Sequence, residues 1–285
     1  MLQAAADQGH AGACERLAAF SAGGIDQIQS WPTAIAWLER AAQLGSSSAK
    51  TQLALITAGP DALGAGSSPA EAVASWLQQA DRESLSERPR IRRFTAFLSA
   101  AVCAWLVARA RGRLQPACVY DPDSAQGITN GHRTNSEADF DVLDRDVVTE
   151  LVRARIAVTA RVPVAVLEPP KVLHYHPEQR FDAHFDYIEP TTPALRKELA
   201  CRGQRIATAL IALNEDYSGG QTTFPTLDIA WKGHTGDALL FANVAADGRP
   251  DSQTLHIGSP VQHGEKWLFS QWIRDRSPQY QCGEV

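Results

Sequence analysis

Residues 173–190 read LHYHPEQRFDAHFDYIEP. From Lys171 onward the chain turns to short strand-like runs broken by glycine and proline turns, and VLHYH (172–176), ATALIALN (207–214), DALLFANV (237–244) and KWLFSQWIR (266–274) are the plainest of them. Several short strands at close spacing predict an antiparallel sandwich or barrel of the jelly-roll and cupin type. Six of the eight histidines, His174, His176, His184, His234, His256 and His263, fall in this part. The spacing His184-Phe185-Asp186 matters most, because residues two apart on a strand project from the same face and can reach one ion together.

A second imidazole, His256, follows 70 residues after Asp186, in TLHIGSPV between a loop and another strand. Two imidazoles and a carboxylate occupy one face of an octahedron and leave three positions open, the arrangement of non-haem iron(II) oxygenases. Ten residues after His256 comes Lys266, a cation suited to the distal carboxylate of an oxoacid. His174 and His176 share a strand face, and a zinc site formed by them with His184 is the competing assignment.

Upstream, residues 1–111 are rich in Ala, Leu, Gln and Arg with apolar positions at the helical period. LQAAADQGHAGACERLA (2–18) recurs as LERAAQLGSSSAKTQLA (38–54) at an offset of 36, with Gly9 and Gly45 at matching positions. This predicts helix-turn-helix units whose first helix ends on a left-handed glycine. Trp37-Leu38 against Trp76-Leu77 hints at a further unit. FTAFLSAAVCAWLV (94–107) predicts a buried helix flanked by arginines, too short at 14 residues for the about 20 that a bilayer crossing requires. Loops are expected over 59–69 and after Arg113. A helix opened by acidic residues is expected from Asp144. The fold class is therefore α+β, a helical-repeat region over 1–111 followed by a jelly-roll domain over 112–285.

The 285 residues carry a net charge of −5 with 44% hydrophobic and 21% charged side chains, which supports a real core and excludes a surface built to neutralise phosphates. No nucleic-acid partner and no membrane partner are expected. The five cysteines are widely spaced, without CxxC, and are read as buried or idle thiols, with neither a disulfide framework nor a thiolate zinc site. With no basic and apolar leader at the N-terminus, the expected location is cytoplasmic.

The strand-bearing half also resembles a known family. LHYHPEQRFDAHFDYIEP, RIATALIALNEDYSGGQTTFP, WKGHTGDALLFANV and SQTLHIGSPVQHGEKWLFSQWIR are similar, in order, to the successive strands of prolyl 4-hydroxylase-type iron(II)- and 2-oxoglutarate-dependent dioxygenases. RLQPACVYDP and HRTNSEADF resemble the opening segment, so the likeness spans about residues 112–274. It implies a double-stranded β-helix with His184, Asp186 and His256 as iron ligands. Lys266 would pair with the far carboxylate of 2-oxoglutarate, with Tyr175 and Thr222 beside that cosubstrate. Arg205, Trp272 and Arg274 fall where family members contact substrate. The implied cosubstrates are 2-oxoglutarate and O2, with ascorbate as reductant, and the implied products include succinate and CO2. Where the family carries glycine and tyrosine in YxxGQxYxxHxD, this chain has Glu178 and Phe181.

The activity implied is hydroxylation of an unactivated C–H bond, first of a prolyl residue in a peptide or protein, and alternatively of a free amino acid or small natural product. The N-terminal repeats, which resemble short tetratricopeptide-like units of the Sel-like class, are read either as a protein-contact surface or as a helical cap. A non-catalytic adaptor is the rival class. The intact set His184, Asp186, His256 and Lys266 counts against it, because a scaffold has no physical reason to keep those four together.

Overall fold

The computed structural model describes residues 1–61, 68–120 and 127–277. Parts of both expected loops, 62–67 and 121–126, lie outside the described residues, as does Cys282. Five helices come first: α1 (Leu2–Asp7), α2 (Ala11–Gly23), α3 (Trp31–Gln43), α4 (Ser47–Ala58) and α5 (Pro69–Trp76). A hairpin of β1 (Glu83–Glu87) and β2 (Arg90–Phe94) precedes α6 (Ala100–Arg111). Short strands β3 (Gln115–Pro116), β4 (Val119–Tyr120), β5 (Gly127–Ile128) and β6 (Ser136–Asp139) lead to α7 (Val147–Ala160). Then follow β7 (Lys171–Tyr175), β8 (Phe181–His184), α8 (Pro193–Arg202), β9 (Arg205–Ala212), β10 (Tyr217–Gly219), β11 (Thr222–Phe224) and β12 (Ile229–Trp231). The last strands are β13 (Ala238–Ala242), β14 (His256–Gly258), β15 (Val261–Gly264) and β16 (Lys266–Arg274).

The chain separates into two compact units, one of Met1–Gln79 with Phe140–Arg161, the other of Ala80–Asp139 with the residues from Val162 onward. In the first unit the two copies of the 36-residue pattern fold alike. Gly9 (φ +86°) separates α1 from α2 and Gly45 (φ +98°) separates α3 from α4, each in the left-handed conformation a glycine adopts at little cost. Ala13 and Ala49 are buried at equivalent places, and their small side chains let the paired helices approach. Ser30, Ser46 and Ser68 cap α3, α4 and α5 by accepting a backbone N–H three residues on, which satisfies a donor the helix start leaves open. Helix α7 packs with α2, α4 and α5 and is buried throughout Val147–Ala157. Its buried Glu150 is bridged by Arg145 at 2.9 Å and Arg153 at 2.7 Å, which neutralises a charge that burial would otherwise penalise.

The second unit holds an antiparallel eight-stranded sheet in the order β1-β2-β13-β9-β16-β7-β6-β3 and a four-stranded sheet in the order β12-β11-β14-β8. Alternating residues of the large sheet, among them Leu173, Leu210, Leu239, Phe241 and Leu268, form one core with Phe224 and Trp231 of the small sheet. This is the antiparallel two-sheet core of a jelly-roll.

The structure corrects three sequence expectations. The segment 94–107 is not one helix. Residues 90–94 form β2, which pairs with β13 through Ile91↔Phe241 and Phe94↔Ala238, and the helix begins only at Ala100, capped by Ser99. Arg92 and Arg93 lie on that strand and pair with Glu87 and Glu83 of β1, so they are not helix flanks. For the same reason the division expected at residue 111 falls elsewhere. Residues 80–111 belong with the sheets, and α7 belongs with the N-terminal helices. Cys14 and Cys103 are buried free thiols, whereas Cys201 is engaged in a disulfide instead of being idle. Among the described residues, no helix is long and apolar enough to cross a membrane.

Candidate active site

Strand β8 ends on His184, and β14 begins on His256 directly opposite it. Asp186 lies two residues past His184 in a bend beyond the strand end, so the turn of the chain, and not the strand pleat, aims its carboxylate at the imidazoles. His184 Nε2 is 3.9 Å from Asp186 Oδ1, and His256 Nε2 is 3.7 Å from Asp186 Oδ2. The opposite ring nitrogens are engaged elsewhere: His184 Nδ1 lies 2.8 Å from the Asp182 carbonyl and His256 Nδ1 lies 3.0 Å from the Thr254 carbonyl. Each carbonyl accepts the Nδ1 proton and leaves the Nε2 lone pair facing the centre, the second-layer arrangement typical of metal-binding imidazoles.

Asp186 is oriented in the same way. Thr208 donates its hydroxyl to Asp186 Oδ2 at 2.6 Å, and Asn243 Nδ2 donates to Thr208 Oγ1 at 3.0 Å. Burial, reinforced by His256, pushes the His184 imidazole down to about 3, so it stands neutral and able to coordinate. Burial raises the Asp186 carboxyl, but His256, His184 and the Thr208 hydroxyl outweigh it and hold the group ionised below its ordinary range.

In the large sheet, Tyr175 at the end of β7 faces Lys266 at the start of β16. Lys266 is 2% exposed, donates from Nζ to the Gly220 carbonyl at 2.6 Å, and lies 4.9 Å from the centroid of the Tyr175 ring. Among the described residues no carboxylate pairs with it. Burial lowers this ammonium to about 7, the mark of a cation held without its anion. Gly220 makes room for it: with φ +67°, it would place a Cβ 3.2 Å from Lys266 Cδ. Burial also pushes the Tyr175 phenol to about 12, so it stays neutral.

His184, Asp186, His256, Tyr175 and Lys266 line one recess, together with Thr222, Thr208, Trp272 and Arg133. The donor set of two imidazoles and one carboxylate suits iron(II), and an uncompensated buried lysine beside it suits a dianionic oxoacid.

The comparisons with known proteins agree. Residues 170–274 match the 2OG-Fe(II) oxygenase superfamily. Prolyl 4-hydroxylase 1 of Arabidopsis thaliana is 33% identical over 229 residues, covering 72% of this chain and 79% of that protein. The chain belongs to the prolyl 4-hydroxylase family of 2OG-Fe(II) oxygenases. Its family uses iron(II), 2-oxoglutarate and O2. Probable prolyl 4-hydroxylase 6 of Arabidopsis thaliana is 34% identical over 216 residues, covering 68% of this chain and 72% of its own length. Among solved structures, the viral collagen prolyl hydroxylase from Paramecium Bursaria Chlorella virus-1, in complex with 2OG, is 25% identical. That match covers 65% of this chain and 95% of the viral chain at a TM-score of 0.49.

Tyr175, Thr222 and Trp272 line the recess with the His184, Asp186, His256 and Lys266 set. Arg205 and Arg274 do not line it. Arg205 is bound to Glu168 at 2.7 and 3.1 Å and lies 3.7 Å over the Trp272 ring. Arg274, fully buried, bonds Glu168 at 2.5 Å, Glu198 at 2.7 Å and the Gly203 carbonyl at 2.6 Å. Both arginines are engaged in a buried ion network that braces the strand carrying Trp272. The alternative zinc set is not assembled either, since His174 and His176 meet Glu265 and not His184.

Phe181 stacks on His184 at 3.5 Å with the planes 14° apart, and the Arg133 guanidinium lies 4.8 Å from the Phe181 centroid. Glu178 adopts φ +69°, which explains why the family pattern has glycine there. Sequence reasoning missed Thr208, Asn243 and Arg133. A signal existed for the first, a hydroxyl at an inward-facing position of the otherwise apolar ATALIAL run.

Proposed function

We propose that this protein hydroxylates a prolyl residue of a peptide or protein, with iron(II) held by His184, Asp186 and His256. The observation that carries this reading is the convergence of both Nε2 atoms on Asp186 in the same recess as an unpaired, buried Lys266. When bound, iron(II) and 2-oxoglutarate supply the oxidation, in which the cosubstrate and O2 yield succinate, CO2 and a hydroxylated C–H bond.

The protein's own residues do positional work. Lys266 holds the far carboxylate of 2-oxoglutarate and, once paired, regains the proton that burial disfavours. Tyr175, kept neutral, offers a phenol proton without adding charge. Thr222 narrows the recess from the opposite sheet. Leu173, Leu210 and Leu268 line the recess with apolar surface and exclude water. Trp272, pressed by Arg205, supplies a flat wall against which a pyrrolidine ring can lie. That the Arabidopsis relatives are prolyl 4-hydroxylases supports the prolyl residue as the target. The N-terminal helices, with two copies of one helix-turn-helix pattern, are assigned to gripping a protein substrate in the manner of tetratricopeptide-like repeats.

The test is anaerobic reconstitution with iron(II) and 2-oxoglutarate followed by O2 and a proline-containing peptide. Succinate and hydroxyproline are expected from wild type and neither from His184→Ala. No succinate above the mutant overturns the oxygenase assignment, and succinate without hydroxyproline overturns the prolyl one. Deleting residues 1–79 is uninformative because α7 packs with those helices. Substitutions on the exposed faces of α1 and α3 that lower turnover on a protein but not on a short peptide are the result expected if the helices grip substrate.

A further inference from the structure

A second cluster of metal-ligating side chains lies outside the recess. His174 Nε2 is 3.0 Å from Glu265 Oε2, His176 Nδ1 is 3.6 Å from Glu265 Oε1, and the two imidazole rings meet edge to face at 4.4 Å. One ligand atom from each residue lies within 4.8 Å of the others. The strand register produces this juxtaposition. His174 on β7 and His176, the first residue past the strand end, flank Tyr175 and turn to one side, while Tyr175 points into the core. Trp267 pairs with His174 and Lys266 with Tyr175, so Glu265, one residue earlier, comes level with His176.

We propose that His174, His176 and Glu265 bind a divalent borderline metal of the zinc class at a site separate from the iron centre. Two imidazoles and a carboxylate favour zinc, nickel or copper over magnesium or calcium, which take oxygen ligands. Bonds of about 2.0–2.1 Å place tetrahedral donors roughly 3.3 Å apart, and the observed separations of 3.0 and 3.6 Å bracket that value. The cluster is preorganised. His174 is 3% exposed and packs on the Trp267 ring at 4.0 Å, and its Nδ1 is buried without a hydrogen-bond partner, so Nε2 is its working edge. The Glu265 backbone is fixed by Asn214, which donates to the Glu265 carbonyl at 2.7 Å and accepts the Trp267 N–H at 2.8 Å. His176 is 55% exposed, which leaves the fourth position open to water. A metal here clamps the end of β7 to the residue preceding Lys266.

The experiment uses the full chain carrying His184→Ala and His256→Ala, which disables the other cluster, dialysed against Zn(II) with bound metal counted. One equivalent is expected. Adding His176→Ala or Glu265→Gln is expected to weaken binding by about tenfold or more, and the exposed His176 side chain can be removed without disturbing the core. As a second measurement, wild type is expected to hold two equivalents and the single His176→Ala protein one. No retained Zn(II) in the double variant together with a single equivalent in wild type overturns the proposal, as does binding that neither His176→Ala nor Glu265→Gln changes. Because the count is made without turnover, its failure is distinguishable from failure of the oxygenase reading.

Discussion

Thr208 donates its hydroxyl to Asp186 at 2.6 Å from the strand next to β16, and it accepts in turn from Asn243 on the far side. The carboxylate is thus held by a relay that contributes no ligand itself. Thr208→Val keeps the shape and removes the donor, leaving a buried carboxylate oxygen short of a partner. Iron(II) affinity is expected to fall about 10- to 100-fold, with Thr208→Ser retaining most of it. Titration of the anaerobic protein with iron(II) checks this, and unchanged affinity in Thr208→Val removes Thr208 from the centre.

Glu178 bears an L side chain in the left-handed region, at φ +69°, while its N–H donates to the Val261 carbonyl at 2.7 Å. Its side chain is exposed, so replacing it costs no core contact. Relief of about 1–2 kcal/mol of left-handed strain, less about 0.5–1 for glycine's greater freedom when unfolded, predicts that Glu178→Gly stabilises by about 0.5–1 kcal/mol. Thermal unfolding is expected to rise by about 2 °C. A lower melting temperature contradicts the account.

The parts of the fold legible in the sequence were those with a local period. The 36-residue pattern announced paired helices, and the alternating runs 172–176, 207–214 and 266–274 announced β7, β9 and β16. The ligand set was legible because HxD, the later histidine and the lysine stand in order along the chain. What failed depended on partners distant in sequence. RIRRF reads as a basic helix flank until β13, almost 150 residues on, pairs with it. Arg205 and Arg274 look like solvent-facing cations until Glu168 is found between them. Helix α7 is buried on every side, yet Glu150, Arg153 and Arg155 interrupt its apolar residues, so no stripe says which neighbours it packs with.

Glu168 is the hinge of that arginine network. Burial raises its carboxyl, but Arg205, Arg274 and Arg202 outweigh this and bring it down to about 2. A group depressed in the folded state stabilises fully above its unfolded value, near 4.5, and that contribution is lost as pH falls toward 2. Glu168→Gln removes the carboxylate that Arg205 and Arg274 share, leaving Arg274 its Glu198 bond, and is expected to cost about 3–5 kcal/mol. The acid-induced loss of stability between pH 4.5 and 2 is expected to shrink in the variant. Denaturant unfolding at pH 7 and pH 3 measures both, and equal losses at the two pH values contradict the assignment.

Lys266 gives a slope of the same sign in a higher pH window, but here the fold disfavours the charged form. In the cosubstrate-free protein burial lowers its ammonium from 10.5 to about 7. Between these values the unfolded chain binds more protons than the folded one, so this residue makes stability rise with pH from about 7 to 10.5. Below 7 the fold carries a buried charge with no counter-ion. Lys266→Met removes that charge and fills similar space, so the cosubstrate-free variant is expected to be more stable than wild type at pH 6 and to lose the alkaline slope. The same substitution is expected to abolish 2-oxoglutarate binding. In wild type, 2-oxoglutarate requires the protonated lysine, and its affinity is expected to weaken as pH rises above 7, approaching about tenfold per unit. Calorimetric titration of the cosubstrate across pH 6 to 9, in the presence of iron(II), reads this directly. An affinity that stays flat over that range in wild type, or 2-oxoglutarate still bound by Lys266→Met, removes the lysine from the cosubstrate site.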